Sequence, residues 1–175
     1  MKTVCKISTA VAAMLLGVVV IVVVIVLGSR SVMGQSGAHK SFDLLKGMEG
    51  NWAGKNQQGQ PIQVTFRMTA GGSALMSEIL GRGPENMITM FHMDGDRLLM
   101  THYCGAGNQP RMKVISSDAK SVSFEFVDGT NIGPGDGHMQ QVTFTEADAD
   151  HQVEEWVFLD HGKEIKEVFT LARTK

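Results

Sequence analysis

The stretch HQVEEWVFLDHGKEIKEVFTLAR, residues 151–173, decides the fold class of this 175-residue chain. Two runs of alternating apolar and polar residues flank the dipeptide His161-Gly162, and alternation with a period of two indicates β-strands. Two-residue turns that contain glycine commonly join antiparallel strands. The stretch is therefore predicted to be a β-hairpin, with aromatic side chains concentrated on one of its faces.

The aromatic face of this hairpin also carries carboxylates. With the turn at 161–162, Glu154 and Trp156 share a face with Glu167, and Trp156 lies opposite Glu167. The aromatic side chains predict that this face points inward. Because buried carboxylates are costly unless they are paired or hydrated, two inward glutamates indicate a polar, water-containing cavity or a bound ligand.

The same alternation recurs upstream and predicts the architecture. About ten such segments follow residue 49, and turns rich in glycine and aspartate separate them, as at 70–72, 94–96 and 146–150. Consecutive strands joined by short turns form an antiparallel meander, and closure of the meander into a barrel removes its exposed edges. We therefore predict an all-β, antiparallel up-and-down barrel of about ten strands.

A short helix is predicted immediately before the first strand. Ser41 is a suitable N-cap, Asp43 suits the positive first turn of a helix, and Gly47 or Gly50 ends the segment. The barrel domain is accordingly assigned to residues 41–175.

The N-terminal residues form a separate segment. Residues 10–27 carry no charge over 18 positions, which is long enough to cross a bilayer at about 1.5 Å per residue. A secretory signal has a shorter apolar core and a small-residue cleavage site, neither of which is present, so an uncleaved anchor is favoured over a cleaved signal. Residues 1–28 are therefore the predicted transmembrane or signal helix, and residues 29–40 a flexible linker.

Charge and cysteine positions limit the compartment and the partners. Two lysines precede the apolar run, which places the N-terminus in the cytoplasm and the domain in the periplasm or outside the cell. That domain has 12 Lys and Arg against 18 Asp and Glu, a formal charge of −6, which argues against nucleic acid as a partner. Cys5 and Cys104 fall on opposite sides of the predicted span, so no internal disulfide is expected.

A family resemblance rests on the two ends of the domain. Gly50-Asn51-Trp52 follows the predicted helix, and FTLARTK places Arg173 in the last strand. These motifs resemble the G-x-W motif and last-strand arginine of lipocalins and related calycins, and the whole domain resembles uncharacterised, lipocalin-like secreted bacterial proteins. The resemblance implies that Arg173 lies across the Trp52 ring and seals one barrel end. Ten strands are closer to fatty-acid-binding and nitrobindin-like barrels than to eight-stranded lipocalins.

A second hairpin contains the remaining candidate site residues. Residues 87–104 carry an Asp-Gly pair at 94–95, the expected two-residue turn. This turn places His102 and Cys104 on one face and His92 on the other.

His102 and Cys104 could form a nucleophilic dyad, bind a metal or have only a structural role. Residues two apart on a strand have Cβ atoms about 6 to 7 Å apart, too far for a direct thiol–imidazole hydrogen bond, which disfavours a nucleophilic dyad. As metal ligands they would need a third donor, for which His138 is the candidate. The simplest interpretation is that both side chains line the barrel wall.

These features predict an exported, membrane-tethered barrel that binds a small apolar or amphipathic ligand. The predicted lining residues are His102, Cys104, Glu154, Trp156, Phe158, Glu167 and Phe169. No catalytic residue and no metal are assigned, because nothing in the sequence shows the raised carboxyl pKa that acid–base chemistry needs. Two alternatives stay open. One is a haem-binding barrel resembling nitrobindins, with an inward histidine on the iron, and the other is a ligand-free interaction domain.

The N-terminal segment yields the first testable prediction. Because the apolar run spans a bilayer and lacks a cleavage site, the full-length protein expressed in a bacterial host should stay in the membrane fraction after a carbonate wash. N-terminal sequencing should then read from residue 1. A soluble periplasmic species that begins near residues 29–40 would show that the segment is a cleaved signal.

Overall fold

The computed structural model describes residues 37–81 and 86–175. These residues belong to one compact unit, Gly37–Lys175. Within the described ranges, no helix is long and apolar enough to cross a membrane. The predicted anchor at 1–28 lies outside the described residues.

A short helix, α1 (residues 37–47), precedes ten antiparallel strands that close into a barrel. Each strand pairs with the next along the chain, and the first pairs with the last. The strands are β1 (Gly50–Asn56), β2 (Pro61–Thr69), β3 (Ala74–Leu80), β4 (Met87–Asp94), β5 (Arg97–Tyr103), β6 (Gln109–Ser117), β7 (Ser121–Thr130), β8 (His138–Asp148), β9 (His151–Asp160) and β10 (Lys163–Arg173). The predicted all-β, ten-stranded up-and-down barrel with one short helix is confirmed.

Helix α1 begins earlier than the sequence indicated. Residues 37–40, which were assigned to the linker, are already helical. Ser41 is therefore inside the helix and not its N-cap, and its hydroxyl donates to the carbonyl of Gly37, one turn back, at 3.0 Å. The helix ends at Gly47 as predicted. The helix side chains Phe42 and Leu45 join the barrel core, as does Met48 directly after the helix.

The β4–β5 turn also differs from the prediction by one residue. Asp94 pairs with Arg97, so the turn residues are Gly95 and Asp96 and not the Asp-Gly pair at 94–95. The φ of Gly95 is +57°, a backbone conformation that glycine adopts without a steric penalty. The register moves by two residues, which leaves every side chain on its predicted face.

The two ends of the barrel are closed differently. Odd-numbered strands run away from α1 and even-numbered strands run back, so α1 shares its end with the turns after β2, β4, β6 and β8. We call this end the helix end. The other end, here the far end, carries the loops at 57–60, 104–108, 131–137 and 161–162.

Two ladders are interrupted at the far end. The β7–β8 ladder stops at the pair Glu125↔Gln141, and beyond it Phe126, Asp128, Gly129 and Thr130 pair with β6 and not with β8. The β5–β6 ladder stops at Thr101↔Arg111, because Pro110, the next residue on β6, has no N–H to donate. The barrel wall therefore has gaps in its ladder at this end.

Arg173 joins the first strand, the last strand and the helix. Its guanidinium carbon lies 4.2 Å from the centroid of the Trp52 ring, and the two residues are Cα partners in the β1–β10 ladder. The guanidinium also donates to the carbonyls of Glu49 at 2.7 Å and Gly47 at 3.1 Å. Trp52 Nε1 donates to the carbonyl of Met48 at 2.7 Å. The cation–π lid implied by the resemblance is thus present at the helix end.

The glycine of the G-x-W motif has a direct structural reason. A Cβ atom on Gly50 would lie 2.8 Å from Nη1 of Arg173, and the φ of Gly50 is +130°. A larger residue would therefore push the guanidinium off the indole and strain the backbone.

This closure predicts a coupled loss of stability. We expect Trp52→Ala to lower the free energy of unfolding by about 3 to 5 kcal/mol, as a large-to-small core change. Arg173→Ala should cost about 1 to 2 kcal/mol through lost packing and cation–π contact. Urea unfolding of both single variants and the double variant gives the interaction energy.

The exposed Arg67→Ala variant is the control for this cycle, because its side chain lies on the outer surface of β2. Its loss should add to that of Trp52→Ala. Strict additivity of the Trp52 and Arg173 losses would instead contradict an energetic role for the lid.

Candidate functional site

Fully buried polar side chains interrupt the apolar interior of the barrel. Ser77, His102, Gln152 and Glu154 each have zero exposure. Each has at least one polar atom with no hydrogen-bond partner among the described residues, namely Ser77 Oγ, His102 Nε2, Gln152 Oε1 and Nε2, and Glu154 Oε1. An unsatisfied buried group costs about 1 to 3 kcal/mol, so this concentration of such groups marks the candidate site.

Trp156 connects two of these groups across the barrel. Its indole Nε1 donates to Glu154 Oε2 at 2.9 Å, since the two side chains lie on the same face of β9. Its ring also packs against the His102 imidazole of β5, with centroids 5.0 Å apart and planes at 44°. Glu154 and His102 therefore contact the same indole from different strands.

His102 belongs to a row of polar side chains on adjacent strands. Thr89 of β4 is the Cα partner of both His102 and Ser77. The Thr89 hydroxyl and His102 Nδ1 are 2.9 Å apart and share a hydrogen bond whose donor depends on the imidazole tautomer. This bond fixes the ring and leaves Nε2 as the atom that lacks a partner in the described residues.

Burial shifts the pKa of both ionisable groups toward the neutral form. Loss of hydration lowers the pKa of His102 to about 4. The same effect raises the pKa of Glu154 to about 7, against the opposing influence of the hydrogen bond from Trp156. At mildly acidic pH, Glu154 is thus a neutral acid and His102 a neutral base, and the two do not form an ion pair.

An aromatic cluster lies level with Glu154, whose Cα partner on β8 is Phe144. Phe66, Phe91, Phe124 and Phe144 contact one another with ring centroids 5.4 to 6.2 Å apart. Phe91 and Phe144 are nearer the helix end of their strands than Thr89 and Val142 are. Ser77, Thr89 and His102 therefore lie on the far-end side of Phe91, whereas Glu154 is level with Phe144 and Gln152 lies nearer the helix end.

The structure places the predicted lining residues in two groups. Four are buried and point inward, namely His102, Glu154, Trp156 and Phe169. Three are half-buried and lie nearer the far end, namely Cys104, Phe158 and Glu167. The register of the last hairpin is as predicted, with Trp156 opposite Glu167.

The two inward glutamates occupy different environments. Glu154 is fully buried, whereas Glu167 is half-buried and its Oε1 accepts a hydrogen bond from Asn56 Nδ2 at 2.8 Å. The two predicted inward carboxylates are therefore not equivalent. Glu154 is deeply buried, and Glu167 is hydrogen-bonded nearer the far end.

Several buried polar residues were absent from the predicted lining. These are Asn56, Ser77, Thr89, Asn108 and Gln152. A signal existed for Ser77 and Gln152, because both alternate with apolar residues on an inward face. Polar residues in an alternating strand are usually assigned to the outer surface. Only their position in the inward-outward alternation of the strand could have placed Ser77 and Gln152 inside.

The alternative of a metal site finds no support in the described residues, where no three His, Cys, Asp or Glu side chains form a group that could hold an ion. His138, the predicted third donor, packs its ring against Phe126 with centroids 4.2 Å apart. Its Nδ1 lies 3.2 Å from the carbonyl of Asp136.

Haem fits this interior poorly. An axial histidine needs one ring nitrogen fixed and the other directed at the iron, and the Thr89–His102 bond meets the first requirement. A porphyrin is also a rigid plate that needs a wide slot beside Nε2. The imidazole is fully buried, and its ring packs against the Trp156 indole with no open slot shown beside it among the described residues.

The fold and the site together define a closed, ten-stranded antiparallel barrel with a partly polar interior, compatible with a calycin-like fold. No model of a known protein family matches the chain. No curated protein matches it in sequence either.

The shifted pKa values predict pH dependences of stability that cancel in the wild type. Glu154 loses its proton near pH 4.5 when unfolded but near pH 7 when folded, so its contribution falls as the pH rises through that window. His102 gains a proton near pH 6.5 when unfolded but near pH 4 when folded, so its contribution falls as the pH drops. Between pH 4.5 and 6.5 the two effects oppose each other and stability should be nearly flat.

Single variants should expose each dependence. Relative to wild type, Glu154→Gln should lose stability as the pH falls from 6.5 to 4, and His102→Gln as the pH rises from 4.5 to 7. One pKa unit corresponds to about 1.4 kcal/mol, so each full effect is on the order of 3 kcal/mol. Urea unfolding at closely spaced pH values measures both. The outward-facing Glu155→Gln and His92→Gln variants should follow the wild-type curve, and identical curves for the inner and outer variants would contradict the prediction.

Proposed function

We propose that the barrel binds a small apolar or amphipathic ligand in its interior. The observation that carries the proposal is the set of fully buried polar atoms of His102, Gln152 and Glu154 that have no partner among the described residues. Folded proteins rarely leave such atoms unpaired, and sites that bind small molecules combine mostly apolar walls with a few convergent polar groups. A bound molecule with a polar group would meet their hydrogen-bonding capacity.

The far end supplies the route of entry in this proposal. The β7–β8 ladder is open there, and the side chains beside the opening are half-buried, among them Phe126, His138 and Phe158. The helix end is closed by α1 and by the Arg173 lid. A ligand would therefore enter between the far-end loops and advance toward Trp156.

The proposal includes a location and a family. The 18-residue apolar run supports a membrane tether with the barrel exported to the periplasm or the cell exterior. The ten-stranded closure and the Trp52–Arg173 lid support a relationship to lipocalin-like calycins. A tethered barrel of this kind would hold its ligand close to the membrane surface.

The rival classes account for less of the interior. A ligand-free interaction domain has no need of unsatisfied polar atoms in its core, where apolar residues of similar volume cost less. A haem protein would need room for a rigid porphyrin beside His102, whose imidazole is fully buried and packs against the Trp156 indole. An enzyme would need reacting groups that approach each other, whereas Glu154 and His102 are linked only through the indole.

Binding of the neutral fluorophore Nile red to the purified domain tests the proposal. We expect saturable binding, and we expect Trp156→Phe and His102→Ala to weaken it by about fivefold or more, which is about 1 kcal/mol of lost contact. The matched control His92→Ala, on the outer face of β4, should bind as the wild type does. Native mass spectrometry of the domain should also reveal a co-purifying small molecule.

Two results would contradict the proposal. The first is the absence of saturable Nile red binding by a folded wild-type domain. The second is equal binding by the inner and outer histidine variants, which would place the dye on the surface. Absorbance near the Soret band in protein purified from haem-supplemented cultures would instead favour the haem alternative.

A further inference from the structure

We infer that the ligand carries a cationic hydrogen-bond donor, an ammonium head group, and that Glu154 is its counter-ion inside the barrel. The inference rests on the proposed function and names the substrate class of the same site. It follows from the charges, the acceptor atoms and the aromatic surroundings of the interior.

Within the part of the chain that the structure describes, the interior offers no buried cation for an anionic head group. Among the described residues, the buried side chains include one carboxylate, that of Glu154, and no lysine or arginine. Arg173 lies at the helix end, where it covers Trp52 and donates to the carbonyls of Gly47 and Glu49. A fatty acid carboxylate would therefore enter a low-dielectric space that holds no cation and one potential negative charge.

The atoms that lack partners include acceptors suited to an ammonium. Glu154 Oε2 accepts from Trp156, which orients the carboxylate and leaves Oε1 available. Gln152 Oε1 is also unpartnered among the described residues, and the two side chains share the inner face of β9 about 6 to 7 Å apart at Cβ. A three-donor ammonium between them would satisfy both oxygens.

The surroundings of Glu154 also favour a cation. Trp156 and Phe144 place aromatic rings next to this carboxylate, with ring centroids 5.7 Å apart, and Phe169 is its Cα partner on β10. Aromatic faces attract cations, and more strongly when the cation is desolvated. Beyond Trp156 toward the far end, Phe158 pairs with Met139, and both side chains pack in or against the apolar core. The head group would thus lie inward and an alkyl chain outward.

Binding of an ammonium should be coupled to the ionisation of Glu154. Burial holds the pKa of this carboxyl near 7, and an adjacent cation lowers it again. The other ionisable groups that face the site are His102 on β5, which burial keeps neutral, and Glu167 on β10, which is hydrogen-bonded to Asn56. Below pH 7 each bound ammonium should therefore displace the Glu154 proton into solution.

Displacement of Nile red by three ligands with the same alkyl chain tests the head group. At pH 7.5 we expect dodecylamine to compete at least about tenfold more tightly than dodecanoate, with dodecanol between them. Glu154→Gln should remove the preference for the amine. The matched control Glu155→Gln removes one negative charge from the outer face of the same strand and should keep the preference.

A second measurement covers the case in which Glu154→Gln does not fold. Calorimetric titration of the wild-type domain with dodecylamine at pH 6, in two buffers of different ionisation enthalpy, should show the release of up to about one proton per ligand. Dodecanol should release none. Amine binding without proton release would overturn the inference.

The outcomes separate the inference from the proposed function. Dodecanoate that competes as well as dodecylamine would overturn the ammonium inference and leave an apolar ligand site in place. Amine preference that persists in a folded Glu154→Gln variant would also overturn it, because the cation would then bind elsewhere. No Nile red binding by the wild type would remove the proposed function and the inference together.

Discussion

The contact between the Arg173 guanidinium and the Trp52 indole is the constraint on which the rest of the barrel depends. It holds β10 against β1, and through the carbonyls of Gly47 and Glu49 it also holds the end of α1 over the helix end. A meander of ten strands has two unpaired edges until this junction forms. Once the edges pair, the inner face becomes a closed volume in which each side chain must find its partners.

When the barrel closes, the alternation of side chains along each strand decides which residues are buried. Because successive residues point to opposite sides of a strand, every second residue enters the interior whatever its polarity. Aromatic residues fill much of the interior, and Ser77, His102, Gln152 and Glu154 occupy inward positions among them. The polar atoms of these residues that have no partner among the described residues lower the stability of the barrel.

The chemical character of the interior follows from what it lacks as well as from what it contains. A carboxylic acid and an imidazole lie on either side of one indole, and burial keeps both neutral at mildly acidic pH. With no buried lysine or arginine among the described residues, the Glu154 carboxyl is the strongest potential charge in the site. A ligand that brings a positive charge would complete this arrangement, and one that brings a negative charge would oppose it.

The strands, most of the turns, the inward face of the β9–β10 hairpin and the shared face of His102 and Cys104 could be predicted from the sequence alone, because a period of two and glycine-containing turns are local properties of the chain. The sequence also indicated the Trp52–Arg173 contact, through motifs at the two ends of the domain. Local patterns could not reveal that α1 starts before Ser41 or that the β4–β5 turn includes Asp96, since side-chain and backbone contacts set those boundaries. Only the closed tertiary structure decided that Glu154 is fully buried while Glu167 bonds Asn56, that Trp156 reaches His102 from the other side of the barrel, and which polar atoms remain unpaired. Hydration and partners depend on residues distant in the chain, so the candidate site appears only after the barrel has closed.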